Sequence, residues 1–155
     1  MLDQRHGPAN PFDLDRFVLA QNPVYESVRQ ELAAGRKATH WIWFIFPQLK
    51  ALGRSPTAKF FGIDGIEEAS EYWAHPLLRQ RLLQCAQLIL DVRGKTIDQI
   101  LGSPDDMKLC SCATLFCEMG PQETVMKEIL ERYYEGIPDN ATLTLLQRPG
   151  RSPDA

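Results

Sequence analysis

The sequence predicts an all-α protein, a compact single domain of about seven to nine short helices around a central aromatic helix. Three observations predict it. Apolar residues recur at helical spacing along most of the chain. Glycine stops and cap-then-proline restarts punctuate that pattern at short intervals. No run alternates polar and apolar residues, so a sheet is at most a minor element.

The elements follow in order. Residues 13–21 carry Leu14, Phe17 and Val18 on one face. Asn22 and Pro23 offer a cap and a first helical position. Val24, Val28, Glu31 and Leu32 continue that second helix to a stop at Gly35. Thr39 is placed to cap a third helix over residues 40–46, which Pro47 ends. Ser55-Pro56 starts a turn or two over residues 57–62.

Residues 66–74 and 76–92 read as helices. Leu78, Leu82, Cys85, Ile89 and Val92 line one face of the second, and Gly94 follows it. A short helix over residues 96–101 stops at Gly102. Ser103-Pro104 opens another to about residue 118, broken by Gly120-Pro121. Residues 122–134 form the next, ended by Gly136, and a last turn covers residues 140–146. The domain spans residues 11–146, with flexible tails at 1–10 and 147–155.

Composition narrows the function classes. The chain has 155 residues, 44% hydrophobic and 24% charged, with a net charge of −3. That length suits one domain, and the mild acidity gives no general attraction to nucleic acid or anionic lipid. The first ten residues lack a signal-peptide apolar core, and no apolar run approaches a membrane span of ~20 residues. The chain is expected to be cytoplasmic. Cys85, Cys110, Cys112 and Cys117 then read as free core residues, not a disulfide framework. Cys110, Cys112 and Cys117 do not have a zinc-ligand spacing, so no metal and no cofactor are expected.

The stretch Thr39-His40-Trp41-Ile42-Trp43-Phe44-Ile45-Phe46-Pro47-Gln48 is the most unusual. Its six large apolar residues cover every face of a helix, which belongs in a core. His40 and Gln48 mark its polar ends. A structural His40 bonds a neighbour at a helix start. A functional one transfers a proton or contacts a ligand, its ordinary pKa of ~6.5 being suited to that. No Asp or Glu occurs from Leu32 to Ile63, where Arg36, Lys37, Lys50, Arg54 and Lys59 lie. Arg54 and Ser55, with free N–H groups at a helix start, make a candidate anion site. The alternative is that these cations only solvate the flanks of a buried element.

Ser103-Pro104-Asp105-Asp106-Met107-Lys108 has a structural reading too. Ser103 caps, Pro104 takes the first position, and Ser103 with Asp106 resembles a capping box. The functional reading gives Asp105 or Asp106 to general-base work, with Lys108 and Ser111 beside them as ligand contacts.

Taken together, these stretches resemble the bacterial "domain of unknown function 1810" family. The resemblance rests on Leu14-Asp15-Arg16-Phe17 with Gln21, Ala34-Gly35-Arg36-Lys37 and the His40 to Gln48 run. It continues through Leu52-Gly53-Arg54-Ser55, His75-Pro76, the Ser103 to Leu109 run and Thr114-Leu115-Phe116. It implies a mainly α-helical fold of its own type, as in a mycobacterial hypothetical protein, and no established activity. Relatives usually carry Arg then Ser-Ser-Met where this chain has Cys110, Ser111, Cys112 and Ala113. The name calpastatin attached to some relatives does not suit a globular pattern without repeats.

Two functions are compatible with these residues. One is a small-ligand domain, extending to a hydrolase on a phosphate-bearing or nucleotide-like molecule. There His40 moves a proton, Asp105 or Asp106 activates water, and Gln48, Arg54, Ser55, Lys108 and Ser111 hold the ligand. The other is a non-catalytic interaction module with an apolar patch or a dimer face. The expected partner is a small anionic or polar ligand, not a membrane or nucleic acid, and the expected state is a monomer or weak homodimer.

Overall fold

Prolines and glycines set the joints of this fold. Pro56 and Pro76 each sit in the first turn of a helix, behind caps from Ser55 and His75. Gly35, Gly94, Gly102 and Gly136 all turn left-handed at positive φ, a conformation that costs a side chain dearly. The structure, a computed structural model, describes residues 12–147. The expected tails lie outside the described residues, except Gln147, which closes the last helix.

Among the described residues, ten α-helices follow one another. They are α1 Asp15–Gln21, α2 Tyr25–Ala33, α3 Ile42–Ile45, α4 Pro56–Phe60 and α5 Ile66–Ala74. Then come α6 Pro76–Asp91, α7 Ile97–Leu101, α8 Asp105–Met119, α9 Val125–Tyr133 and α10 Asn140–Gln147. There is no strand among the described residues. Leu49 and Ile63 form one isolated parallel bridge, through bonds from Lys50 N–H to Ile63 O and from Ile63 N–H to Gln48 O. The chain is all-α, as its periodicity predicts.

The centre is shared by two elements. The aromatic segment contributes Trp41, Ile42, Ile45 and Phe46, each at most 2% exposed. Burying side chains of this size is worth ~1.5–3 kcal/mol each. Its helix is only one turn long, and Trp43 and Phe44 are half-buried. The other element is α8, buried without a break from Ser111 to Phe116. It packs against α3, α5, α7, α9 and α10. Small residues on this helix, Ser111, Cys112 and Ala113, leave room for neighbours to close in.

Several helix starts differ from the sequence reading. Asn22 ends α1 and Val24 precedes α2, so Asn22-Pro23 is a joint and not a cap. Thr39 does not cap α3; its hydroxyl donates to Glu31 instead. Ser103 does not cap α8. Pro104 takes the position before the helix after a cis Ser103–Pro104 bond, and Asp106 accepts only its neighbour Met107 N–H. Thr96 and Gln99 form the reciprocal capping box that Ser103 and Asp106 do not.

Short helices leave many last-turn carbonyls without partners. Long side chains bind some of these, such as Phe60 O, Phe44 O and Leu90 O, and also other carbonyls in loops and at the start of α8. Arg16 donates to the carbonyls of Asp13, Phe60 and Gly62. Gln21 donates to Phe44 O, Lys95 to Gly35 O and Arg132 to Leu90 O. Tyr133 and Tyr134 donate to Ile89 O and Asp106 O.

Candidate functional site

The loop between α2 and α3 is built around Glu31. Glu31 lies one turn after Val28 on the inward side of α2, so its carboxylate reaches past the end of the helix. Oε1 accepts the N–H groups of Ala38 at 2.8 Å and Thr39 at 3.1 Å, and the Trp41 indole N–H at 2.8 Å. Oε2 accepts the Thr39 hydroxyl at 2.7 Å. Burial alone would raise this carboxyl's pKa. The donors from Ala38, Thr39 and Trp41 outweigh it and hold the group below its ordinary value. Lys37 N–H donates to Ile100 O at 2.7 Å, which ties the same loop to α7.

Lys37 then joins this loop to α8. Its Nζ lies 2.8 Å from Asp105 Oδ2, with the two side chains 7% and 19% exposed. The same ammonium sits 5.0 Å from the Trp41 ring centroid. Loop and helix start therefore meet at one partly buried cation. His40 stands beside Trp41, exposed, with no hydrogen bond or ion pair of its own among the described residues.

The remaining predicted residues divide into two groups. Asp105, Asp106 and Lys108 share the start of α8, Lys108 half-buried without an ion-pair partner among the described residues. Ser111, one turn further, is 7% exposed and turned inward, 3.1 Å from Asp139 Oδ2 and 3.3 Å from Met107 O. Asp139 also accepts from Thr142 at the start of α10. Gln48, Arg54 and Ser55 form the other group. Gln48 is half-buried and meets Ile63 through its backbone, while Arg54 is exposed. Ser55 Oγ accepts Ala58 N–H at 3.0 Å. Pro56 has no N–H, so the start of α4 offers an anion Thr57 N–H alone. No hydrogen bond or ion pair among the described residues joins Arg54 or Ser55 to His40, Asp105 or Asp106.

Sequence reasoning missed Glu31 and Lys37. Glu31 had a signal: a carboxylate at the apolar positions of α2, with Val24, Val28 and Leu32, must find donors. Lys37 is one of five basic residues in its acid-free stretch, and nothing local marks it as the partner of Asp105.

No group of three or more His, Cys, Asp or Glu able to hold a metal occurs among the described residues. All four cysteines are free, Cys85 and Cys112 buried. Nor is any described helix long and apolar enough to cross a membrane. A cleft of about 770 Å³ lies elsewhere, between Leu49, Asp64, Ile66, Glu67 and Leu145. Another of about 520 Å³ lies between the α6–α7 loop and the end of α9. Neither is lined by a residue predicted for the site.

The model of a family described as "Protein of unknown function (DUF1810)" matches residues 11–146. Among solved structures, the chain is similar to the conserved hypothetical protein Rv1873 from Mycobacterium tuberculosis. The two are 50% identical with a TM-score of 0.88, over 90% of this chain and 99% of that one. No curated protein matches it.

Proposed function

The chain belongs to the DUF1810 family of proteins of unknown function, and on that premise we propose that it is a small-ligand-binding domain. The ligand sits where the loop of residues 37–41 meets the start of α8. One observation carries this reading. A single carboxylate, Glu31, takes four hydrogen bonds to fix an exposed loop whose polar tip, His40, has no partner among the described residues. Fixing a loop before binding lowers the entropy cost of binding. His40 on the loop and Lys108 on α8 have no hydrogen-bond or ion-pair partner among the described residues, and groups of these types suit a phosphate-bearing or nucleotide-like molecule.

In the enzymatic form of this proposal the domain is a hydrolase. His40 passes a proton to the leaving group and Asp106 orients the attacking water. Asp105, already engaged by Lys37, holds the loop against α8.

A screen of nucleotides and sugar phosphates by thermal shift tests the reading. A true ligand at about 100 times its Kd stabilises the fold by ~2.7 kcal/mol. His40→Ala should abolish that shift while leaving the unliganded melting temperature in place, because His40 has no partner to lose. Equal shifts in both proteins would remove His40 from the site.

A second reading has its own observation. Met107 and Ile137 are 65% and 62% exposed, and Cys110, one turn after Met107, places its Sγ 3.9 Å from Ile137 O. Such an apolar pair beside α8 suits a non-catalytic interaction module. Light scattering separates the two: a concentration-dependent dimer broken by Met107→Glu favours the module.

A further inference from the structure

We propose that the groove between the α6–α7 loop and the last turn of α9 binds a compact polyanion, a small molecule carrying a pyrophosphate group. The site is separate from the His40 loop and does not depend on it. The groove is about 520 Å³, larger than a single phosphate needs, and Arg93, Lys95, Thr96, Arg132 and Tyr133 contribute polar groups to its lining. No Asp or Glu lines it.

Three cations around one groove are unusual in a chain of net charge −3. None of them forms an ion pair with a carboxylate among the described residues. The acid nearest Arg93 in sequence, Asp91, accepts Gln87 Nε2 instead, and Glu131, next to Arg132, is exposed and does not line the groove. An anion placed among like charges gathered at one groove is attracted to all of them.

Two of the three cations are already positioned. Lys95 Nζ donates to Gly35 O at 2.9 Å, and Arg132 donates to Leu90 O. Neutral carbonyls orient these heads without cancelling their charge. Each keeps further N–H donors, two on the ammonium and several on the guanidinium. Arg93 is exposed and has no partner at all among the described residues. Between Arg93 and Lys95, Gly94 adopts φ +77, and the space where its side chain would stand is empty to 4 Å. A ligand can therefore approach the backbone there closely. Two linked phosphates match this spread of donors better than one.

Isothermal titration of the full chain with inorganic pyrophosphate tests the proposal. The wild type should bind, more weakly as potassium chloride is added, because exposed charges are screened. Arg93→Ala, which breaks no internal contact, should weaken binding by about tenfold, the loss of one charge-assisted contact. Lys95→Gln should weaken it similarly, and the binding that depends on Arg93 should persist in a His40→Ala background. Inorganic orthophosphate should bind less tightly than pyrophosphate. The proposal is overturned by absence of binding in the wild type, by Arg93→Ala and Lys95→Gln both binding as wild type, or by equal affinity for the two anions. Loss of pyrophosphate binding in His40→Ala would also overturn it, by placing the anion in the other site.

Discussion

Glu31 accepts the indole N–H of Trp41 across ten residues of chain, at 2.8 Å. Trp41 is 1% exposed, so its N–H has no water to turn to. Replacing Glu31 by Ala should destabilise the fold by ~1–3 kcal/mol, the cost of orphaning a buried donor. Urea unfolding gives that number. The pH dependence follows from the lowered carboxyl pKa. A depressed folded-state pKa contributes stability above the ordinary value of ~4.3, and that contribution is lost as pH falls through the folded-state value. The gap between wild type and Glu31→Ala should therefore narrow in acid. A gap constant from pH 7 to pH 3 would contradict the ionised clamp.

Arg16 and Glu68 should be far less tolerant than most ion pairs. They are 11% and 3% exposed and meet at 2.8 Å. Arg16 also bonds three carbonyls, and Glu68 Oε1 accepts Asp64 N–H. Arg16→Ala leaves a buried carboxylate without its cation, a loss of ~3–5 kcal/mol. Arg16→Lys should recover only part of it, since an ammonium cannot reach all four acceptors in the guanidinium's fixed plane. Chemical denaturation of both variants checks the order.

The thiols should be inert at neutral pH. Burial, then Asp139, pushes Cys110 up to about 11. Burial, then Glu118, does the same to Cys117, again to about 11. Cys85 is pushed by burial to about 12, and Cys112 is raised as well. Native protein at pH 7.5 should react slowly with a thiol reagent, and unfolded protein should react at all four positions. An acid whose folded-state pKa is raised contributes stability below its ordinary value of ~8.5 and loses it as pH rises through the folded-state value. The melting temperature should accordingly fall above about pH 9.

Gly62 lies tight against Lys50, beside the bridge between Leu49 and Ile63. A Cβ there would land on Lys50 Cα, a backbone atom with no freedom to move away. Gly62→Ala should cost ~1–3 kcal/mol or more and loosen residues 48–63, which faster amide exchange at Ile63 would reveal. Gly65→Ala, with nothing within 4 Å, is the matched control.

Most helices were legible because their ends are written locally. Gly35, Gly102 and Gly136 stop helices, and Pro56 and Pro76 start them, as read in the sequence. Caps were less legible. Ser103-Pro104-Asp105-Asp106 and Thr96-Ile97-Asp98-Gln99 both match a capping pattern, and only the second forms one. Thr96 takes an extended backbone and its side chain accepts Gln99 N–H, whereas Pro104 and not Ser103 takes the position before α8. The candidate site was legible in half. His40 and Asp105 stood out by type, but Lys37, which links the loop to Asp105, is 68 positions from it in sequence.

The carbonyl-binding side chains carry a consequence for how this protein tolerates change. Arg132 and Lys95 are solvent-exposed, and a mutational scan ranked by accessibility would treat both as silent. Each fastens the end of one segment to another that shares no backbone ladder with it. Drift within the family should therefore be freer at interior aliphatic positions, where volume can be exchanged between neighbours, than at these exposed fasteners. In a protein made of short helices, the hardware that resists substitution is partly on the outside.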